Sequence, residues 1–139
     1  MSSYILSSHD NGKYAYDLGT AFKCKGCGRI DRSKSERKTF KSLSREVSST
    51  YDNELLVSQR VHDRLCSLVD EKNFEEAGSY YYVMPHNAVK VDTLKTKLEY
   101  GQTCDACNKP KHIVGGNPLW LESGPSETGI YVQILFLGM

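Results

Sequence analysis

The sequence has no strong excess of charge of either sign. Its 18 lysines and arginines nearly balance 17 aspartates and glutamates, which gives a formal net charge of +1. Domains that bind nucleic acid through bulk electrostatics are normally strongly basic, so the overall charge does not favour that class of protein. The apolar fraction of 39% and the charged fraction of 25% are typical of an ordinary globular protein.

The sequence also lacks a long hydrophobic run. The first ten residues, "MSSYILSSHD", have neither the basic segment nor the apolar stretch of a secretory signal peptide. The most apolar stretch, residues 130–139, is far shorter than the roughly 20 residues that span a bilayer. We therefore expect a cytoplasmic protein with no membrane contact. Thiols stay reduced in the cytosol, where spaced cysteine pairs are more typical of metal or redox sites than of disulfides.

Common catalytic motifs are missing as well. The sequence contains no G-x-S-x-G, no P-loop, no G-x-G-x-x-G and no H-E-x-x-H. His62 and Cys66 lie four residues apart in a predicted helix, and such a pair can act as an activated nucleophile. Cys66 borders an apolar stripe, however, and free cysteines are often buried, so core packing is the preferred interpretation. We expect a protein that is not an enzyme.

What the sequence does contain is two C-x-x-C pairs, in "KCKGCGRI" and "TCDACNKP". Two such pairs supply the four thiolates that tetrahedral structural zinc requires. The residue after each pair is Gly28 or Asn108, and both residue types tolerate the positive φ that such a turn needs. The sequence thus predicts a structural zinc site with four ligands: Cys24, Cys27, Cys104 and Cys107.

The separation of the two pairs is unusual, because a zinc ribbon normally keeps them about 15–20 residues apart. We therefore predict a split ribbon, with the rest of the fold inserted between the two turns. A thioredoxin-like redox pair is the alternative, but no helical pattern follows either pair. His112 is an alternative ligand for one position, although a loop histidine facing solvent is the preferred interpretation. Four cysteines would close the coordination shell, which favours a structural over a catalytic metal.

The clearest secondary structure lies in the middle of the chain. Residues 55–57 are a strand candidate, and Ser58 is a good N-cap for a helix over about residues 59–72. Apolar residues recur there at helical spacing and predict one face packed on a sheet; they are Val61, Leu65, Leu68 and Val69. The aromatic run at 79–85 indicates a strand that Pro85 ends.

Further short strands complete the predicted fold. Leu94, Leu98 and Tyr100 are separated by even steps, so in a strand they would share one face. Residues 4–6, 117–122 and 129–139 are the other strand candidates. Together the elements predict one α+β domain over residues 1–139, with a mixed or antiparallel sheet, one main helix and the split four-cysteine zinc ribbon.

One segment, residues 31–53, differs in composition. Its first twenty residues contain six Lys or Arg, three Asp or Glu and six Ser. We predict a flexible basic and serine-rich loop. The functional alternative is a basic patch that contacts an acidic partner or a phosphate backbone.

In order along the chain, several of these motifs resemble those of bacterial double-CxxCG-type immunity proteins. They are a short N-terminal strand, the early C-x-x-C-G turn, "LLVSQRVHDRL" entering the capped helix, "YYYVMP" and the late C-x-x-C. The stretch "PLWLESG" also resembles related immunity families. Such proteins accompany contact-delivered or polymorphic toxins and neutralise the cognate toxin by binding it. The resemblance implies a non-enzymatic protein-binding module whose partner is a toxin.

The alternative function is nucleic-acid binding by the zinc ribbon. Basic residues flank both cysteine pairs and would cluster at the metal end; they are Lys23, Lys25, Arg29, Arg32, Lys34, Lys109 and Lys111. Salt-dependent binding to a phosphate backbone is what this alternative predicts.

Overall fold

A computed structural model describes residues 8–116, 118 and 120–124, and the backbone of 131–134. The chain forms two compact units. The first, which we call the sheet unit, comprises residues up to 21 together with 35–84. The second, the cysteine unit, comprises 22–34 together with the chain from 85 onward. A single domain over residues 1–139 stays a prediction.

The sheet unit is built on a five-stranded mixed sheet in the order β1-β2-β3-β5-β4. Strand β1 runs parallel to β2, and the other neighbours are antiparallel. The α+β fold with a mixed sheet is therefore confirmed, as are strands near 55–57 and 79–85. The strands are β1 (His9–Asp10), β2 (Val47–Ser49), β3 (Leu55–Ser58), β4 (Phe74–Glu76) and β5 (Tyr80–Val83).

The core of this unit lies at the centre of the sheet. Leu56 on β3 pairs with Tyr82 on β5, and both are almost completely buried. The Tyr82 hydroxyl donates a hydrogen bond to the Lys38 backbone oxygen at 2.7 Å, so its polar end is satisfied. The Asp52 carboxylate accepts the backbone N–H groups of Ala15 and Tyr16 at 2.9 and 3.0 Å. These bonds join the early chain to the turn between β2 and β3.

The main helix, α1 (Gln59–Cys66), begins where the sequence predicts. Ser58 Oγ accepts the Val61 N–H at 3.3 Å, as an N-cap should. The helix ends six residues earlier than the predicted boundary near 72. Ser67 is the C-cap, and a separate 3-10 turn at Glu71–Asn73 follows. The Asp70 carboxylate begins that turn by accepting the Lys72 N–H at 2.9 Å.

The early end of the helix overturns the predicted apolar face. Leu68 lies beyond the last turn, and 68% of it is exposed. The buried residue of α1 is His62, which stacks on Tyr81 of β5 with ring centroids 3.7 Å apart. The prediction that the apolar residues from Val61 to Val69 form one continuous helical face was therefore wrong, because Leu68 and Val69 lie beyond the end of the helix.

The segment 31–53 contains regular structure as well as turns. Arg37 forms an isolated bridge with Tyr16, and Phe40 forms one with Gly78. At Gly78 the φ is +79° and an added Cβ would lie 2.6 Å from the Phe40 oxygen, so this approach needs glycine. Strand β2 also belongs to the segment. Its flexibility stays a prediction.

The cysteine unit contains two small strand pairs and a short helix. β6 (Asn87–Lys90) runs parallel to β9 (Tyr131–Ile134), and β7 (Glu99–Tyr100) is antiparallel to β8 (Ile113–Val114). Between β6 and β7 lies α2 (Thr93–Thr96).

Helix α2 corrects the strand predicted through Leu94, Leu98 and Tyr100. The Asp92 carboxylate accepts the Lys95 N–H at 3.0 Å and starts a helical turn that includes Leu94. Only Tyr100 of the three lies in a strand, β7. The local structure is therefore determined by Asp92 as a helix N-cap and not by the alternation of apolar residues.

The remaining strand predictions fall partly or wholly outside the described residues. Residues 4–6 lie outside them, as do 117 and 119 and most of 129–139. Residues 131–134 form β9. Near the predicted 117–122 strand, Leu121 forms only an isolated bridge with Val91. Within the described ranges, no helix has the length and apolar character to cross a bilayer.

Candidate metal centre

The two cysteine pairs lie on turns with the same backbone hydrogen bonds. In the first turn the Cys24 N–H bonds to the Arg29 oxygen at 2.8 Å, and the Gly28 N–H bonds to the Cys24 oxygen at 2.9 Å. In the second, the Cys104 and Asn108 N–H groups make the equivalent bonds at 2.9 and 2.8 Å. Gly28 has φ +74° and Asn108 has φ +57°. Gly28 and Asn108 therefore have the same positive-φ role in their turns, as the sequence predicts.

The two turns bring all four cysteine sulfurs together. Their Sγ atoms lie within 4.8 Å of one another. Cys24 and Cys104 are separated by 3.7 Å between sulfurs, and Cys27 and Cys107 by 3.8 Å. Metal–sulfur bonds of about 2.3 Å in a tetrahedron give sulfur–sulfur edges of about 3.8 Å. Disulfide sulfurs lie only about 2.05 Å apart, so the cysteines are free thiols arranged to hold a metal ion.

Gly26 makes this close approach of the turns possible. A Cβ at Gly26 would lie 2.7 Å from Cys104 Sγ and 3.1 Å from Ala106 Cβ. Ala106 holds the equivalent place in the second turn, so the small residues of the two turns face each other. The sequence analysis missed Gly26. Its position inside C-x-x-C was the available signal, but only the second turn's location reveals its role.

Backbone N–H groups favour the thiolate form of two of the four cysteines, Cys24 and Cys104. The N–H groups of Cys27 and Gly26 lower the pKa of Cys24 to about 6, because hydrogen bonds to the sulfur favour the thiolate. Those of Cys107 and Ala106 lower the pKa of Cys104.

Cys107 is shifted in the opposite direction. The Lys109 N–H favours its thiolate, but burial and the neighbouring sulfurs of Cys104, Cys24 and Cys27 prevail and raise its pKa to about 11. Four negative thiolates this close together repel one another, and a divalent cation would remove that repulsion.

A side chain also links the two turns. The Arg29 guanidinium donates a hydrogen bond from Nη2 to the Pro110 backbone oxygen at 2.6 Å. Pro110 is fully buried and forms an isolated bridge with Thr103, just before Cys104. Arg29 is thus a structural support of the cluster as well as one of the seven basic residues that flank the cysteine pairs in the sequence.

His112 lies elsewhere in the cysteine unit. A Cβ on Gly101 would come within 2.2–2.5 Å of its ring atoms, so the imidazole packs on the glycine backbone. Within the described residues, the metal-ligating group consists of the four cysteines and does not include His112. This agrees with the preferred interpretation of a loop histidine.

The second candidate pair of the sequence analysis is also in contact. Cys66 Sγ lies 3.4 Å from His62 Nε2. Burial, together with the negative charges of Glu71, Asp63 and Asp70, raises the pKa of the Cys66 thiol. A nucleophilic cysteine needs the opposite environment, in which the thiolate is favoured. The pair does not have the electrostatics of an activated nucleophile.

No known protein family, characterised protein or solved structure shows significant similarity to this chain. The resemblance to immunity proteins therefore rests on the sequence motifs, and the functional argument on the geometry of the site.

Proposed function

We propose that the four cysteines hold one structural Zn²⁺. The observation that carries this proposal is the pair of sulfur–sulfur distances, 3.7 and 3.8 Å, which match the edges of a tetrahedral zinc–thiolate site. Iron also accepts four thiolates in a tetrahedron. Zinc fits a structural role better, because it has no redox chemistry and its closed four-thiolate sites stabilise small folds.

We further propose that the chain is a non-enzymatic, cytoplasmic immunity protein that neutralises a bacterial toxin by binding it. The sequence resemblance supports this proposal. Three exposed apolar residues of the cysteine unit support the protein-binding part. They are Leu94, Trp120 and Leu121, which are 89%, 50% and 38% exposed. Their backbones are connected, since Trp120 bonds to helix α2, which contains Leu94, and Leu121 follows Trp120 in the chain.

The backbone holds Trp120 in place without burying its ring. The Trp120 N–H donates to Thr96 Oγ1 at 3.0 Å, and its oxygen accepts the Asp92 N–H at 2.9 Å. Both partners belong to helix α2 or its cap. Tryptophan is enriched among residues that dominate binding energy at interfaces, and a ring on a fixed backbone loses little entropy on binding.

The metal proposal is tested by zinc content after gel filtration. We expect one zinc per wild-type chain and its loss in Cys104→Ser. Cys66→Ser is the matched control, since it removes a cysteine outside the cluster and should retain the zinc. A folded wild-type chain without metal would contradict the proposal.

The immunity proposal is tested by co-expression with the product of the adjacent gene. We expect that product to be toxic alone and tolerated with this chain. Trp120→Ala should weaken the complex at least tenfold without changing the zinc content or the melting temperature. A neighbouring product that is neither toxic nor bound would remove the support for an immunity role.

Nucleic-acid binding remains the second candidate, favoured by one observation. Because the two turns meet, exposed basic residues from both flank one cluster. Six of the seven basic residues named for this function are exposed: Lys23, Lys25, Arg32, Lys34, Lys109 and Lys111. A gel shift that weakens steeply with added salt would support this candidate. The absence of any shift at low salt would reject it.

A further inference from the structure

We propose that His62 and Cys66 form a second metal-binding site, in the sheet unit, for a divalent cation that accepts both imidazole and thiolate. The site is separate from the four-cysteine cluster and does not depend on what that cluster binds. Zn²⁺ belongs to this class but would be held only weakly by two protein ligands, and Co²⁺ is its spectroscopic substitute.

The spacing of the two ligand atoms fits one ion. Residues four apart on a helix lie on the same face, and α1 carries His62 and Cys66 at that spacing. Cys66 Sγ and His62 Nε2 are 3.4 Å apart. Bonds of about 2.3 Å to sulfur and 2.0 Å to nitrogen at a tetrahedral angle place the two atoms about 3.5 Å apart. An ion could therefore bridge them with almost no movement of the helix.

A carboxylate fixes the tautomer of the imidazole. His62 Nδ1 lies 3.1 Å from Asp63 Oδ1, and the Asp63 side chain is largely exposed and ionised at neutral pH. A carboxylate can only accept a hydrogen bond, so Nδ1 carries the proton. Nε2 then presents its lone pair towards Cys66. Metal-ligating histidines normally have this arrangement, in which the other ring nitrogen donates to a carboxylate.

The imidazole is also held rigidly by its neighbours. The Tyr81 ring stacks on it at 8° between planes, and the Phe74 ring meets it at 81° with centroids 4.9 Å apart. The Tyr81 hydroxyl donates to Gln59 Oε1 at 2.9 Å, and Gln59 Nε2 donates to Asp63 Oδ1 at 2.7 Å. One connected group of side chains thus orients both the ring and the carboxylate behind it.

The charges around the pair favour a cation over nucleophilic chemistry. Glu71, Asp63 and Asp70 all act electrostatically on the Cys66 sulfur. Their negative field opposes a bare thiolate but stabilises a bound cation. On binding, the Cys66 S–H proton passes to solvent and the sulfur coordinates the ion as a thiolate. Water would complete the coordination, since Cys66 is only partly buried.

The test is a titration with Co²⁺ of the full chain that carries one zinc after gel filtration, which removes an ion held by only two protein ligands. Zinc at the four cysteines is retained, because cobalt binds such ligands more weakly than zinc. We expect a thiolate-to-cobalt charge-transfer band that saturates at one further equivalent. Cys66→Ser should abolish the band, and Asp63→Asn should weaken cobalt binding about tenfold or more, as loss of a carboxylate partner does.

Two controls keep this test independent of folding and of the first site. His112→Gln removes a histidine outside the pair and should leave the band unchanged. Cys66→Ser changes one atom, and its circular dichroism and zinc content should match those of the wild type. A wild-type chain with no further cobalt equivalent, or a band that persists in Cys66→Ser, would overturn the inference.

Discussion

The substitution Gly26→Ala would test the geometry of the metal centre most directly. It adds one methyl group and removes no ligand. The new Cβ would lie 2.7 Å from Cys104 Sγ, where ordinary contacts begin near 3.4 Å. Cys104 Sγ or the first turn must therefore move by about 0.7 Å, whereas metal–ligand distances in real sites vary by about 0.2 Å.

That displacement sets the expected loss of affinity. Changes that misplace a ligand without removing it typically cost 10–100-fold in metal affinity. This corresponds to about 1.4–2.7 kcal/mol. Gly26→Ala should therefore bind zinc 10–100-fold more weakly than the wild type in competition with a zinc-binding dye, while Cys104→Ser should lose more.

Two further variants distinguish the causes. Gly124→Ala adds a methyl group that, apart from its two chain neighbours, has no atom of the described residues within 4 Å, and it should bind zinc as the wild type does. Ala106→Gly in the Gly26→Ala chain removes the 3.1 Å contact but leaves the contact with Cys104 Sγ, so it should not restore affinity. Wild-type affinity in Gly26→Ala, or its full recovery in the double variant, would refute the reasoning.

Three other predictions concern the thiols, the helix and the histidine. In the metal-free chain at pH 7, iodoacetamide should modify Cys24 much faster than Cys107, because only the thiolate reacts and their pKa values are about 6 and about 11. The rate at Cys24 should rise through pH 6 and level off, while that at Cys107 should keep rising towards pH 11; equal rates by peptide mass spectrometry would disprove this. Ser58→Ala should lower the free energy of unfolding by about 1 kcal/mol in urea, because it removes the N-cap of α1; an unchanged midpoint would disagree. His112→Gln should retain one zinc per chain by metal analysis, and its loss would show that the imidazole is a ligand.

The features that sequence predicts well here are those determined by local chemistry. The two C-x-x-C turns need residues at positive φ, and Gly28 and Asn108 supply them. Ser58 begins the helix because its hydroxyl satisfies a backbone N–H three residues later. The sequence also predicts that the two turns pair with each other, because a structural zinc site needs four ligands and one C-x-x-C pair provides only two.

The features that sequence missed depend on contacts between distant residues or on competing caps. Leu68 continues the helical pattern, but Ser67 and Asp70 end the helix before it. His62 rather than a leucine faces the sheet, because Tyr81 and Phe74 provide an aromatic site for it. Hydrophobic periodicity within the helix does not reveal that His62 is buried, since the rings that cover it lie on strands β4 and β5.

The wide sequence separation of the two cysteine turns has a consequence for the unfolded chain. Cys24 and Cys104 are 80 positions apart, and a metal that holds both closes a ring of backbone containing residues 35–84 of the sheet unit. In the chain-entropy model, a cross-link over a ring of this length disfavours the unfolded state by about 4–5 kcal/mol. A chelator would therefore lower the melting temperature of the sheet unit too, although none of the four cysteines belongs to it. The ion would act on that unit through the covalent connectivity of the chain.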